Sequence, residues 1–152
     1  MMQRYVSEVW IAVEPERVFG FHTEPANLRR ITPPGVKVEV AFQDPMAPGA
    51  RVVLRVRPLP LVTQLWEMQF DVYEPPHRMR DVQVRGPFRS WRQMRTFRAE
   101  RGGTLLVDEV EYELPFGVLG RLANALFVNR QIRGMFAYRQ KRTKELIETA
   151  PG

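Results

Sequence analysis

Five polar side chains on three successive predicted strands could act together as a binding site. Asp81 and Gln83 lie on one strand, Gln93 and Arg95 on the next, and Asp108 on the third. Side chains along a strand point alternately to the two faces of a sheet, so residues two apart share a face. Sorted in this way, all five lie on the inner face among apolar neighbours. Convergent polar groups in an apolar surrounding are typical of sites that orient a ligand.

The turns between these strands set the expected register. A tight turn within 101–103 places Arg95 opposite Asp108 or one diagonal step away. The turn at 86–88 pairs Asp81 with Arg95 and Gln83 with Gln93, and it sets Arg85 near Trp91. The sequence therefore predicts a polar line, Asp81–Arg95–Asp108, on the inner wall of the sheet.

Two interpretations of this polar line stay open. In the structural one, Asp81, Arg95 and Asp108 only neutralise one another or cap the sheet where it bends, because an unpaired buried charge is costly. In the functional one, the three charges orient a mostly apolar ligand. With Arg95 between them, both aspartates are expected to stay ionised. Ionised carboxylates suit a binding or structural role better than acid–base catalysis.

The composition excludes several kinds of catalytic site. The chain contains no cysteine, which excludes a thiol nucleophile, a thiolate zinc site, an iron–sulfur cluster and a disulfide scaffold. Two histidines, His22 and His77, are too few for a multi-histidine metal site. We expect His22 to cap a helix and His77 to lie in an exposed turn. No P-loop, dinucleotide fingerprint or Ser–His–Asp grouping occurs. We therefore predict no catalytic residue, no metal and no cofactor.

The elements that position these residues follow from hydrophobic periodicity and turn signals. The predicted order is one strand (6–13), two short helices (14–21 and 24–31), six strands (36–42, 51–57, 66–72, 78–85, 91–99 and 104–114) and a helix that runs to about 147. Residues 59–61 connect the third and fourth strands. Six consecutive strands with short turns form an antiparallel meander, which the long helix must cover. The predicted class is α+β, a curved seven-stranded antiparallel sheet wrapped around the C-terminal helix.

A sheet wrapped around one helix tends to leave a cavity, and the sequence supplies an apolar lining for it. From the strands we expect Trp66, Met68, Phe70, Trp91, Phe97 and Tyr112. From the helix we expect Leu122, Leu126 and Phe136. The helix carries two apolar stripes that are rotated by about half a turn relative to each other, which predicts a bend near 128–131.

The basic balance of the chain raises nucleic acid as a partner. The 23 basic and 17 acidic residues give a net charge of +6 and an isoelectric point of about 10.3. Most arginines, however, fall on the outer face of the sheet beside carboxylates, with Asp71 across from Arg80 and Arg92 near Glu111. Charges of both signs on one face indicate a solvated surface rather than a phosphate-binding one. We therefore expect nucleic acid not to be the partner.

No segment has the apolar core of a secretion signal or the length of a membrane span. We expect one cytoplasmic domain over residues 1–152, with the choice between monomer and homodimer left open.

Motifs spread over nearly the whole chain carry a family resemblance. They are Asn27-Leu28 with Thr32-Pro33, Pro75-Pro76, Asp81-x-Gln83, Gly86-Pro87-Phe88 with Trp91, Thr104-Leu105 with Asp108 and Tyr112, the run from Leu114 to Gly120, and Phe136-x-Tyr138-Arg139. In these motifs the chain resembles the START/SRPBCC superfamily of helix-grip proteins, which includes polyketide cyclases/dehydrases and lipid-transfer domains, and within it a bacterial subgroup of small ligand-binding members. The resemblance implies an internal hydrophobic pocket and no obligatory cofactor. Many relatives carry histidines where this chain has Gln93 and Arg95, which argues against histidine-based catalysis.

Three functions remain in order of preference. The first is binding, transport or sequestration of a hydrophobic or amphipathic small molecule inside the cavity. The second is a cyclase- or dehydratase-like enzyme that uses the same pocket. The third is binding of RNA or a partner protein through the basic outer face.

Overall fold

A seven-stranded antiparallel sheet and a long C-terminal helix make up most of the chain. The computed structural model describes residues 2–59 and 61–150, so Pro60 in the predicted 59–61 connection lies outside the described residues. In chain order the elements are β1 (Gln3–Ile11), α1 (Pro15–His22), α2 (Asn27–Arg30), β2 (Lys37–Gln43), β3 (Arg51–Leu59), β4 (Val62–Glu74), β5 (Arg78–Arg85), β6 (Ser90–Glu100), β7 (Gly103–Glu113), α3 (Gly117–Ala123), a π-helical turn (Asn124–Val128) and α4 (Asn129–Thr149). The strand order β1-β7-β6-β5-β4-β3-β2 is the predicted meander with β1 added beside β7.

The β6–β7 hairpin has the predicted tight turn. Arg101 and Gly102 both have positive φ, 50° and 76°, as a two-residue hairpin loop requires. The turn sets Arg95 directly opposite Asp108, which confirms the expected register on this side.

The β5–β6 register differs from the prediction by two residues. Asp81 lies opposite Gln93, and Met79 lies opposite Arg95. The predicted pairing of Asp81 with Arg95 is therefore wrong, and so are the pairs expected from the same turn. Because the shift is even, Asp81 keeps its place on the inner face.

Gln83 explains this shift. Its Nε2 donates to the backbone oxygen of Phe88 at 2.7 Å, and its Oε1 accepts from the Phe88 N–H at 3.3 Å. The side chain thus closes a wide loop, and the strand ladder ends at the pair Val82–Arg92. Arg85, expected on the inner wall near Trp91, is exposed.

The C-terminal helix changes phase at its π-helical turn. The 33 residues of α3, the π-helical turn and α4 follow one another directly. A π-helical turn accommodates one extra residue, which rotates everything after it by about 100°. This is the physical cause of the two apolar stripes, and it lies at Asn124–Val128, just before the predicted bend at 128–131.

The first apolar stripe faces solvent. Leu122 and Leu126 are 56% and 57% exposed, so they do not line a cavity as predicted. They belong to an exposed apolar patch made of Phe116, Val118, Leu119, Leu122, Leu126 and Phe127. The second stripe is the buried one, because Ile132, Phe136 and Ile147 of α4 pack against the sheet.

The core consists of two apolar clusters between the sheet and the helices. The larger includes Ile11, Val18, Phe19, Val52, Leu54, Phe70, Met79, Phe97, Leu106 and Ile147. The smaller comprises Met68, Trp91, Val110, Tyr112, Ile132 and Phe136. The predicted polar line is buried on the same inner face of the sheet, and one of its aspartates is reached by α4 through Gln140.

Candidate ligand-binding cavity

A cavity of about 90 Å³, partly open to solvent, lies between the inner face of the sheet and helices α1, α2 and α4. Seven predicted site residues line it: Trp66, Met68, Phe70, Asp81, Trp91, Gln93 and Arg95. Aromatic and aliphatic side chains make up most of this wall, as they do in small-molecule sites generally.

The opposite wall was missed by sequence reasoning. The segment of α1 and α2 contributes Phe21, His22, Glu24, Pro25, Asn27, Leu28 and Ile31, and α4 contributes Arg139. On the sheet side, β3 adds Val52 and Leu54, which were not predicted either. The short helices fold over the open end of the sheet, where α1 packs on β6 through Phe19 and Phe97 at 5.1 Å between ring centroids. Proline signals predicted these helices, but no periodic pattern in so short a segment shows which face turns inward.

Four other residues that were expected to line the cavity lie outside its wall, three of them in the core and one beside the β5–β6 loop. Phe97 is 2% exposed and packs on Phe19. Tyr112 donates its hydroxyl to Asn124 Oδ1 of the π-helical turn. The Phe136 ring stacks on the Trp91 ring, with 6.5 Å between the ring centroids. Gln83 is engaged by the backbone of its own loop.

Arg95 is held between two buried carboxylates, as predicted. Its Nε lies 3.4 Å from Asp108 Oδ1, and its Nη1 lies 3.8 Å from Asp81 Oδ1. All three side chains are at most 12% exposed. The diagonal step across the shifted register is short enough for the arginine to reach both aspartates.

Asp108 is the better satisfied of the two aspartates. Gln93 donates to its Oδ1 at 3.1 Å, and Gln140 donates to its Oδ2 at 2.9 Å. Gln140 also contacts Ser7 of β1, so Asp108 ties β7 to β1 and α4. Asp108 does not line the cavity, and it contacts Arg95 from the β7 side.

Asp81 faces the cavity and has a different environment. Burial raises the pKa of its carboxyl above the usual value, and the positive charge of Arg95 only partly opposes this. Its ion pair with Arg95 is long, at 3.8 Å, so burial favours the protonated form of Asp81. The expectation that both aspartates stay ionised remains a prediction. A carboxyl with a raised pKa in a cavity can give or take a proton.

His22 is a cavity residue as well as a helix-end residue. Its ring Nδ1 lies 2.8 Å from the carbonyl oxygen of Val18, which can only accept a hydrogen bond, so Nδ1 is the donor. Burial, with the nearby charge of Arg95, lowers the pKa of His22 to about 4. The imidazole is therefore neutral near pH 7 and carries its lone pair on Nε2.

Arg139 enters the cavity from α4. Burial lowers the pKa of its guanidinium to about 10, with a further contribution from Arg95, so it is still charged near pH 7. Its Nη2 lies 3.6 Å from Met135 Sδ, and the guanidinium lies over the Phe136 ring at 5.3 Å. Sequence reasoning missed Arg139 because it stands among several basic residues, and only the helical phase after the π-helical turn singles it out.

Three buried N–H groups in the described part of the chain have no hydrogen-bond acceptor. They are Nε1 of Trp66, Nε1 of Trp91 and Nε of Arg139. All three residues line the cavity. Buried donors are rarely left unpaired, so this concentration at one cavity is informative.

Neither a metal cluster nor a membrane helix is found in residues 2–59 and 61–150. No group of three or more His, Asp and Glu side chains there is placed to hold a metal ion. Over the same residues, no helix combines the length and apolarity needed to cross a bilayer.

Comparison with solved structures identifies the fold. The chain superposes on the protein TTHA0849 from Thermus thermophilus with a TM-score of 0.77 at 22% identity, covering 99% of this chain and 100% of that one. The protein CV1439 from Chromobacterium violaceum gives 0.78 at 16% identity, covering 97% and 99%. The Zhui aromatase/cyclase from Streptomyces sp. R1128 gives 0.77 at 14% identity, covering 97% and 94%. At these identities the likeness establishes the fold alone. No curated protein sequence matches the chain.

The sequence itself identifies the family. Residues 2–148 match the family model described as polyketide cyclase/dehydrase and lipid transport. This match confirms the resemblance to the START/SRPBCC superfamily and the helix-grip architecture. The chain belongs to the polyketide cyclase/dehydrase and lipid transport family.

Proposed function

We propose that the protein binds a hydrophobic or amphipathic small molecule in the cavity between the sheet and the helices. The observation that carries this proposal is the cavity itself, which has an apolar wall interrupted by a few buried charged groups. Burial of an apolar ligand against such a wall is favourable by about 25 cal/mol per Å² of apolar surface removed from water, before the cost of ordering the ligand. The polar groups fix its orientation. The family description and the aromatase/cyclase neighbour are consistent with this activity.

The volume limits the size of the ligand. About 90 Å³ suits a compact ring or one end of a longer molecule, not a whole lipid. The cavity is partly open, so the rest of a longer molecule would lie in the opening. We expect transport or sequestration of such molecules in the cytoplasm, although location and oligomeric state stay predictions.

A fluorescence titration with a neutral apolar probe tests the proposal. N-phenyl-naphthylamine should bind the wild-type protein in a saturable way, with one site and an affinity near the micromolar range. Leu28→Trp places a large ring in the cavity wall and should weaken binding at least tenfold. Leu65→Trp introduces the same ring at a position that is 59% exposed and should leave binding unchanged.

The paired variants make the result decisive. If both variants lose affinity for the probe equally, or if both keep the wild-type affinity, the probe binds outside the cavity. Thermal unfolding of each variant checks that a loss of binding is not a loss of fold. A wild-type protein that binds no apolar probe at all would overturn the proposal.

A second candidate function is supported by the acid–base groups of the same cavity. Asp81, with its raised pKa, lines the cavity from the sheet, and neutral His22 lines it from α1. The Nε2 lone pair of His22 can take a proton from a bound molecule, and the carboxyl of Asp81 in its protonated form can give one. A cyclase or dehydratase requires both steps.

Turnover distinguishes the two candidates. A phenyl-substituted β-hydroxy ketone loses water to give a conjugated enone, which is followed by its ultraviolet absorbance. An enzyme would speed this conversion, and Asp81→Asn would abolish the acceleration while probe binding survives. If wild type and Asp81→Asn are equally inactive on such substrates but bind them, the binding function stands alone.

A further inference from the structure

We propose that the ligand of this cavity carries a carboxylate, and that Arg139 binds that carboxylate. The inference rests on the proposed binding function and adds the chemical class of the ligand. It follows from which buried groups of the cavity are paired and which are not.

Arg139 is a largely buried cation without an ion-pair partner among the described carboxylates. Asp81 and Asp108, the two buried aspartates of this region, form their ion pairs with Arg95, and they act on Arg139 only at longer range, where their charges favour its charged form. Asp108 also accepts hydrogen bonds from two glutamines, which uses both of its oxygens. The one other carboxylate of the described lining is Glu24, which is exposed to solvent and therefore well screened.

The unpaired edge of the guanidinium has the geometry that a carboxylate needs. Nε and Nη2 form one edge of the planar group, and a carboxylate binds such an edge with two parallel hydrogen bonds. In Arg139, Nε is buried without an acceptor in the described chain, and Nη2 donates to Met135 Sδ at 3.6 Å. A thioether sulfur is a weak acceptor, so a carboxylate would displace this contact readily.

The rest of the cavity favours an acceptor over a donor on the ligand. Nε1 of Trp66 is also a buried donor without an acceptor among the described residues. Nε1 of Trp91 makes no hydrogen bond of ordinary geometry there, although it favours the charged form of Asp81. A carboxylate has two oxygens with several lone pairs, which match more than one of these donors at once. Of the two guanidinium groups in this region, Arg95 is the one that forms ion pairs with the two aspartates, which leaves Arg139 to meet a ligand.

The cavity therefore fits a compact apolar acid, such as an aryl or short alkyl carboxylic acid. The hydrocarbon part would lie against the apolar wall of β3 and β4, which includes Val52, Leu54 and Met68. Its carboxylate would lie at the α4 side. A neutral molecule of the same shape would leave Arg139 unpaired and would bind more weakly.

A matched pair of probes tests the inference. Naphthoic acid and naphthylmethanol share the apolar ring and differ in the carboxylate. We expect calorimetry near neutral pH to show that the wild-type protein binds the acid about 10- to 100-fold more tightly than the alcohol. Arg139→Met should remove this preference, because it should weaken the binding of naphthoic acid and leave the binding of naphthylmethanol unchanged. Arg130→Met, at an exposed arginine of the same helix, should change neither affinity.

Each outcome has a distinct meaning. If the acid and the alcohol bind equally to the wild type, or if Arg139→Met keeps the acid preference, the inference is overturned and the binding function stands. If neither probe binds, and N-phenyl-naphthylamine does not bind either, the proposed function itself fails. Arg139→Lys provides a second variant should Arg139→Met not fold, because it keeps the charge and loses the two-pronged edge. We expect it to recover only part of the acid preference.

A water molecule could also satisfy Arg139. His22, Arg95 and Arg139 border a second hollow of about 10 Å³, close to the size that holds one water. In that case Arg139→Met would lower stability but would leave the ratio of the acid and alcohol affinities unchanged. The ratio therefore separates the two explanations.

Discussion

The charge of Arg95 is held by two aspartates that differ in what else they bind. Asp108 is fixed by Arg95 and by two amide groups, whereas Asp81 faces the cavity and has a raised pKa. We therefore predict that the two interpretations of the polar line apply to its two ends, with a structural role for Asp108 and a ligand contact for Asp81.

Removal of the Asp108 carboxylate should be strongly destabilising. Asp108→Ala removes the acceptor of Gln93, one acceptor of Gln140 and the closer of the two carboxylates at Arg95, and we expect it to lower the free energy of unfolding by about 3–5 kcal/mol. Glu109→Ala removes the next carboxylate along β7, whose pair with Arg4 is on the outer face, and should cost less than about 1 kcal/mol. Urea unfolding measures both. Equal losses would show that the buried network contributes no more than a surface pair.

His22 should make stability fall as the pH falls. The unfolded chain binds a proton at His22 near its ordinary pKa of about 6.5, while the folded chain resists protonation down to a pKa of about 4. Protonation therefore favours unfolding below about pH 6.5, and the loss levels off near about pH 4. Between about pH 7.5 and about pH 5, the wild type should lose about 2 kcal/mol more than His22→Gln does. Urea unfolding at both pH values checks this, and parallel losses in the two proteins would contradict it.

The residues of the site were predictable to different degrees. Strand alternation assigns Asp81, Gln93 and Arg95 to one inner face, because parity survives a two-residue error in register. The register itself depends on Gln83 closing a loop on Phe88, which no local pattern shows. Arg139 and His22 were missed because their place follows from helix phase and helix packing, not from their own neighbours in the sequence.

At the scale of elements, one extra residue in the C-terminal helix decides which apolar side chains are buried. The two stripes were recognised in the sequence, but both were expected to face inward. The π-helical turn at Asn124–Val128 buries the stripe of α4 and exposes the stripe of α3. The spacing of apolar residues in the sequence shows that the apolar face of the helix rotates. Only packing against the sheet determines which of the two apolar stripes is buried.

The loop between β5 and β6 is packed against the cavity at a glycine. A Cβ on Gly86 would lie 2.4 Å from Gln83 Oε1 and 2.7 Å from Trp66 Cδ1. Gly86→Ala should therefore displace a cavity residue and lower the free energy of unfolding by about 1–3 kcal/mol. Gly134→Ala in α4 meets nothing within 4 Å and should raise it by about 0.5–1 kcal/mol. Thermal and urea unfolding measure both, and a neutral Gly86→Ala would show that the loop has room to move.

At the scale of the whole molecule, ion pairs with carboxylates occupy six of the arginines on the outer surface. Ion pairs join Arg4 to Glu109, Arg51 to Glu67, Arg55 to Glu39, Arg78 to Glu74, Arg80 to Asp71, and Arg92 to Glu111. The expected pairs of Asp71 with Arg80 and of Arg92 with Glu111 are confirmed. Such exposed pairs add little stability, but they reduce the positive potential that a phosphate backbone would meet.

Nucleic acid should therefore bind weakly. We expect labelled single-stranded RNA to show no saturable binding by fluorescence anisotropy at physiological salt. Any binding at low salt should disappear as salt is raised, because it reflects net charge alone. Micromolar binding at physiological salt would contradict this prediction and would favour the third function.

The architecture was the most predictable feature, because element order and short turns leave few ways to arrange six consecutive strands and one long helix. The extent of a single domain over 1–152 stays a prediction. The cavity wall built by α1 and α2 was the least predictable, since short helices are placed by tertiary contacts. The central claim is that this cavity holds an apolar molecule. Its test needs a measurement that reports where on the protein the molecule binds.

Methyl NMR during titration with N-phenyl-naphthylamine is that measurement. The protein has apolar side chains both in the cavity and in the exposed patch, so binding alone does not locate the ligand. Our account predicts that the methyl signals of Ile31, Val52, Leu54 and Met68 shift and saturate at one equivalent, while those of Leu122 and Leu126 stay in place. Shifts confined to Leu122 and Leu126, or no shifts in the cavity methyl groups at saturating probe, would contradict it.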